Sequence, residues 1–227
     1  MGTSGRPPRP AQCQRTARIL LGSRGPKLSR SRLRISERID QVDDDAPNIR
    51  EGRPVASSQV WPVARSVVIA RHADERTTLL TYLDYYRETF DLKCAGVDPE
   101  RLSQRSSPPS TMSLHGLARH LAGVERWWFA INFAGLDLPM LYYSDDDPDQ
   151  DFDSLDGDPS EALRVWRDEC ERSRGIVATA DLADVGAVER NGSYTLRWLV
   201  LRMIAEYAQH VGHADLLREG IDGAVGA

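Results

Sequence analysis

Three ionisable residues, Glu206, His210 and His213, fall inside the hydrophobically patterned stretch RMIAEYAQHVGHADLL, residues 202–217. An α-helix turns ~100° per residue, which places them at about 0°, +40° and −20° around the axis, on one narrow face. Leu199, Met203 and Leu217 lie on that same face, so it is the one the apolar pattern turns inward. Burying an unpaired imidazole or carboxylate costs on the order of 1–3 kcal/mol, and a bound cation would satisfy several such groups at once. His120, on the inward stripe of another segment with Leu117, Leu121 and Val124, is a further ligand candidate. Each histidine taken singly is better explained as a hydrogen-bonded core residue, because one donor and one acceptor are easily satisfied. The cluster is what points to a divalent metal ion, with zinc first and nickel, iron or manganese as the other candidates.

Geometry limits the ligand set. At 1.5 Å of rise per residue, Glu206 and His213 are ~10.5 Å apart along the axis, too far to share one ion comfortably. Two sets stay open: His120 with His210 and His213, or His120 with Glu206 and His210. The all-histidine set, with water in the open position, is favoured, leaving Glu206 as general base or as orienter of a histidine.

Four segments of helical period must position these groups. The first, about 75–95, carries Leu79, Leu83, Tyr86 and Phe90 on one stripe and ends before Gly96 and Pro99. The second follows SSPPSTMS with Ser113 as N-cap and runs to about Ala134, closed by Gly135. The third, about 159–180, starts at Pro159 and buries Leu163, Trp166, Cys170 and Val177. The fourth runs from Leu196 to Glu219 and is expected to stop at Gly220. Long second and third connections predict an all-α, antiparallel four-helix bundle with crossover loops. Asn191-Gly192 suggests a small hairpin before the last helix.

The bundle domain is expected over residues 73–227, after a basic leader over 1–72. Residues 1–40 carry ten Lys or Arg against Glu37 and Asp40 and show no apolar period, so the leader reads as disordered: a targeting peptide, a nucleic-acid arm or translated upstream sequence. Within it SVVIA, residues 66–70, is either a strand or a segment packed on the domain. The net charge of −5 argues against nucleic acid as a partner. No apolar run has the ~20 residues of a membrane span. Cys13, Cys94 and Cys170 have neither disulfide-framework nor zinc-ribbon spacing, and a cytoplasmic location is expected.

The runs ERTTLLTYLDYYRETFDLKCAGVDPERL, SSPPSTMSLHGLARHLAGVERWWF, LYYSDDDP and RWLVLRMIAEYAQHVGHADLLREGIDG together resemble actinobacterial members of the DinB superfamily, in the branch associated with mycothiol transferases. The resemblance covers about 74–224 and implies a DinB-type bundle with a divalent metal held by one histidine of the second helix and two ligands of the last. His120 matches the first. For the last helix, an H-x-x-x-H pattern ending at His213 would begin at Gln209, a departure, whereas the E-x-x-x-H variant matches Glu206 and His210. The resemblance also implies mycothiol as cosubstrate, an electrophilic small molecule as its partner, and a homodimer. Metal-bound thiols ionise near neutral pH, so the expected activity is metal-dependent transfer of a low-molecular-weight thiol to an electrophile. The alternative is a non-catalytic bundle acting as a stress-related binding or scaffold protein.

Other features are assigned bland roles. The acidic loop DDDPDQDFD fails the EF-hand test, with Gln150 or Phe152 where the turn glycine belongs, and reads as solvated. Trp127, Trp128 and Phe129 exceed one inward stripe, so they pack the core with part of the cluster on a pocket or subunit contact. His115 reads as surface or rim; Arg197, Arg202 and Arg218 read as solvated, with an anionic cosubstrate as the other use.

Overall fold

A computed structural model describes residues 65–188 and 192–226. The leader before residue 65 and Asn191 of the expected hairpin lie outside the described residues. Among these the chain is all-α: α1 (Glu75–Cys94), α2 (Pro99–Leu102), α3 (Leu114–Glu125), a π-helical continuation (Arg126–Phe133), α4 (Gln150–Asp153), α5 (Pro159–Ala178) and α6 (Leu196–Asp222). The helix starts follow capping chemistry. Asp74 accepts from the Thr77 amide at 2.9 Å, Ser113 from Gly116 at 3.0 Å and Asp158 from Ser160 at 2.9 Å, each satisfying an otherwise orphaned first-turn donor. SVVIA forms no strand. It lies against α1, where the Glu88 carboxylate accepts from the Ser66 and Val67 amides at 2.7 and 2.8 Å.

Two departures from the periodicity have physical causes. Gly220 does not end the last helix, which continues to Asp222 and closes on Gly223 at φ +78. Gly220 serves close packing instead: a Cβ there would lie 2.7 Å from the Ser106 carbonyl oxygen. After Glu125 the second helix widens into π geometry, with the Ala134 amide bonding five residues back to Phe129 at 2.9 Å. This winding turns successive side chains by less than the α-helical step, and Trp127, Trp128 and Phe129 are all buried.

α1 packs on α6, and α3 packs on α5 and α6. Leu83, Phe90, Leu117, Leu121, Trp166, Leu199 and Met203 form the core, with Leu79 and Tyr86 against its edge. Through this oil runs a polar network that helical periodicity does not reveal. Arg87 of α1 forks onto Glu125 at the end of α3, with both bonds at 2.8 Å. The Tyr207 hydroxyl of α6 donates to the same carboxylate at 2.7 Å, and Trp166 of α5 donates to that hydroxyl at 2.9 Å. One fully buried carboxylate thus ties four helices. Cys170 reaches the same network, 3.7 Å from Glu125, and Cys94 is a core thiol; burial pushes both upward in pKa and keeps them protonated.

His115 is not at the surface: it is buried, its Nδ1 2.9 Å from the Ser103 hydroxyl. It sits near the start of α3, where the 103–113 connection folds back over it. Burial and, second, the Arg119 charge lower its pKa from 6.5 to about 4.

Two outcomes are expected. Glu125→Ala strands Arg87 and the Tyr207 hydroxyl and should destabilise the fold by about 3–5 kcal/mol in urea or guanidinium unfolding. Because the unfolded chain protonates His115 at its ordinary value while the native chain resists until about 4, native stability falls as pH drops through that window. His115→Gln should flatten the fall, seen as a shallower pH dependence of the denaturation midpoint.

Candidate metal centre

His120 projects from the middle of α3 into the space facing α6, where Glu206 and His210 stand one turn apart. A single carboxylate oxygen, Glu206 Oε1, lies 3.3 Å from the Nε2 atoms of both His120 and His210. The two imidazoles are 4.6 Å apart between ring centroids. One donor atom from each of the three buried residues falls within 4.8 Å of the others, the span one small cation can bridge. His213 is not in this group. It is half-buried, and its Nδ1 is 3.4 Å from Nδ1 of His210, on the edge of that ring facing away from Glu206.

The residue that sequence reasoning missed is Asp151. The acidic loop is solvated only in part: Asp145 and Asp146 are exposed, but the loop then folds into α4 and delivers a fully buried Asp151 to α3. Its Oδ2 lies 2.8 Å from His120 Nδ1, which fixes the ring and leaves Nε2 aimed at Glu206 and His210. Phe152 follows and lays its ring 5.2 Å from that of His120. The approach depends on Gly116 of α3, where a Cβ would stand 3.0 Å from Phe152 Cδ1 and 3.3 Å from the Asp151 carbonyl oxygen. The only hint available in sequence was chemical: a ligand histidine needs an acceptor on its other nitrogen. Which aspartate supplies it is a tertiary matter.

The electrostatics are those of a site with concentrated negative charge. Burial alone would lower His120, but hydrogen bonds to Asp151 and Glu206 outweigh it and raise the imidazole to about 9. Burial opposes ionisation of Glu206, yet its bonds to His120 and His210 and the charge of Arg202 hold the carboxyl far below its ordinary range. Burial lowers His210 and His213, with the positive His120 adding to the effect. His120 Nε2, Glu206 Oε1 and His210 Nε2 thus converge on one point, with Asp151 on the opposite nitrogen of the His120 ring. Two neutral-capable imidazoles and one ionised carboxylate, all buried and convergent, with a carboxylate behind one imidazole, fit a divalent ion.

Arg202 and Arg218 are less solvated than their helix positions suggest, whereas Arg197 reaches solvent as expected. Arg202 ion-pairs with Glu206 Oε2 on the side away from the imidazoles. Arg197 pairs with Glu75 at 2.7 Å. Arg218 is buried, 2.9 Å from an Asp222 oxygen and bonded to the Lys93 and Ala95 carbonyls.

In this all-α chain a histidine of α3 and a glutamate–histidine pair of α6 meet at a common point, a group that could hold a metal ion. Residues 78–223 match the family model described as mycothiol-S-transferase, and the chain belongs to that family. Comparison with curated proteins gave no match. Among the described residues no helix is long and apolar enough to cross a membrane.

Asp151→Asn keeps the size of the side chain but weakens its hold on His120 Nδ1. It should lower zinc affinity by about 10- to 100-fold with helical content unchanged. Competition against a chromophoric chelator measures the first and circular dichroism the second.

Proposed function

We propose that this protein transfers a low-molecular-weight thiol of the mycothiol type to an electrophilic small molecule, using a divalent cation, zinc first, held by His120, Glu206 and His210. The observation that carries the ligand set is the shared position of Glu206 Oε1, equidistant at 3.3 Å from two imidazole Nε2 atoms. The all-histidine set would require His210 to serve the ion through the nitrogen that faces His213, turning its Nε2 away from His120. We further read the four long helices as an antiparallel four-helix bundle, with the site between α3 and α6, and place the protein in a reducing cytoplasm, in keeping with its buried, unpaired Cys94 and Cys170 thiols.

The cation, when bound, lowers the pKa of a thiol so that the thiolate forms near neutral pH. The chain's own residues do the rest. Asp151 holds His120 in the tautomer that presents Nε2. Arg202 holds the second oxygen of Glu206 and keeps the carboxylate turned inward. His213, half-buried at the rim with burial lowering its pKa, accepts the S–H proton. The sulfur then forms a bond to the electrophilic carbon as the bond to the leaving group breaks. The departing group takes the electron pair and the proton from His213, leaving the imidazole neutral for the next cycle.

Mycothiol consumption with a panel of electrophiles, with and without zinc, tests this reading. The wild type should carry about one equivalent of metal and turn over. His120→Ala and His210→Ala should lose both, whereas His213→Gln should keep metal and lose about 10²-fold or more in kcat. Wild-type protein with neither stoichiometric metal nor turnover would instead support a non-catalytic binding protein.

A further inference from the structure

Arg119 immediately precedes His120 on α3, and it is buried. Its partners are neutral. It donates to the Ser154 carbonyl, and its Cζ lies 4.5 Å from the centroid of the Tyr142 ring. The buried Nε has no hydrogen-bond partner among the described residues. A guanidinium in such surroundings gives up water that a carbonyl and a ring face replace only in part. The place of those two partners in the chain suggests what the arrangement does. Tyr142 lies upstream of α4, Ser154 is the residue that closes α4, and Asp151 stands between them. Tyr142 is also the one non-glycine residue among those described with a left-handed backbone, φ +49, a conformation that persists where the surroundings impose it. The loop is further tied across itself: the Ser154 hydroxyl donates to Asp147 at 3.0 Å, and the Asp147 amide donates to the Ser144 hydroxyl at 3.0 Å.

One guanidinium therefore grips both sides of the segment whose middle reaches the candidate centre. Because Arg119 and His120 are consecutive, the grip and the imidazole are referenced to the same turn of α3. A shift of α4 along α3 would be felt directly in the 2.8 Å contact between Asp151 Oδ2 and His120 Nδ1, and hydrogen bonds weaken steeply with distance and angle. We propose that Arg119 is a positioning residue of the candidate metal centre, a clamp from Tyr142 to Ser154 that seats Asp151 against Nδ1 of His120. The purpose of the clamp rests on the reading of His120, Glu206 and His210 as cation ligands; the clamp itself does not.

A double-mutant cycle tests it. Zinc affinity, by competition against a chromophoric chelator, is compared in wild type, Arg119→Gln, Asp151→Asn and the double variant, with helical content followed by circular dichroism. Arg119→Gln should weaken zinc binding about tenfold alone and by no more than about twofold in the Asp151→Asn background, because its effect passes through Asp151. Arg119→Lys keeps a cation for the Tyr142 ring and a donor for Ser154; it should recover part of the loss and carries the same cycle if Arg119→Gln does not fold. Arg105→Ala removes an exposed bond to the Phe152 carbonyl, 3.3 Å long, and should stay within about twofold of wild type. In metal-free protein the proton on His120 Nδ1, identified by its absence in His120→Gln, should give an exchange-protected NMR resonance that Arg119→Gln loses with its helical content intact. An equal loss of affinity from Arg119→Gln in both backgrounds, no loss in either, or an equal loss in Arg105→Ala overturns the clamp. Should wild type bind no zinc, the metal reading fails and the resonance decides alone: its persistence in Arg119→Gln overturns the clamp, and its loss sustains it.

Discussion

The carboxylate of Glu125 sits where α1, α3, α5 and α6 meet, and the geometry of everything else follows from how it is satisfied. Arg87 takes it with both arms of its fork, and Tyr207 takes it with a hydroxyl that in turn receives the Trp166 indole. Hydrophobic burial is non-directional and would tolerate several rotations of α6 about its axis. A buried carboxylate held by Arg87 and Tyr207 does not, because any rotation leaves charges unpaired in a low-dielectric interior. Tyr207 is the residue after Glu206, and Glu125 lies five residues beyond His120 on the same helix. Locking Tyr207 to Glu125 therefore sets the angle at which Glu206 and His210 face His120.

The candidate centre is the counterpart of this anchor. The anchor balances its charges among its own partners. The centre gathers two carboxylates, Glu206 and Asp151, around imidazoles, with Arg202 on the outer oxygen of Glu206. The first cluster is closed by its own fixed side chains, whereas in the second three ligand atoms converge on one point.

How much of this could be read in advance depended on the range of the interaction. Stripes such as Leu79–Leu83–Tyr86–Phe90, and caps such as Ser113, are local, and the helices they predicted over 75–95, 113–134 and 159–180 formed at nearly those bounds. The inward face of the last helix was equally local, so Glu206, His210 and His213 were legible as one polar face with His120 opposite, but the reading favoured His213 as ligand where the structure groups Glu206 with His120 and His210. Arg87 and Glu125 were not, because a charged residue on a helix looks solvated until its partner from another element is known. Asp151 failed for the same reason, hidden in a run of aspartates that are mostly wet. The π-helical turn at 126–133 lay beyond a pattern read at 3.6 residues per turn, which is why the aromatic triplet seemed too large for its stripe. Gly220 shows the limit of a local signal: the same residue type that stops helices also lets a neighbouring chain come close.

Gly116 offers the last lesson. The hydrogen it carries in place of a methyl group leaves α4 just enough clearance to rest on α3, so the aspartate behind His120 is seated by a gap rather than by an attraction. Orientation of the imidazole is thus governed at a distance by steric permission. The acidic segment between the second and third long helices reaches the ring only because α3 carries no side chain where that segment rests.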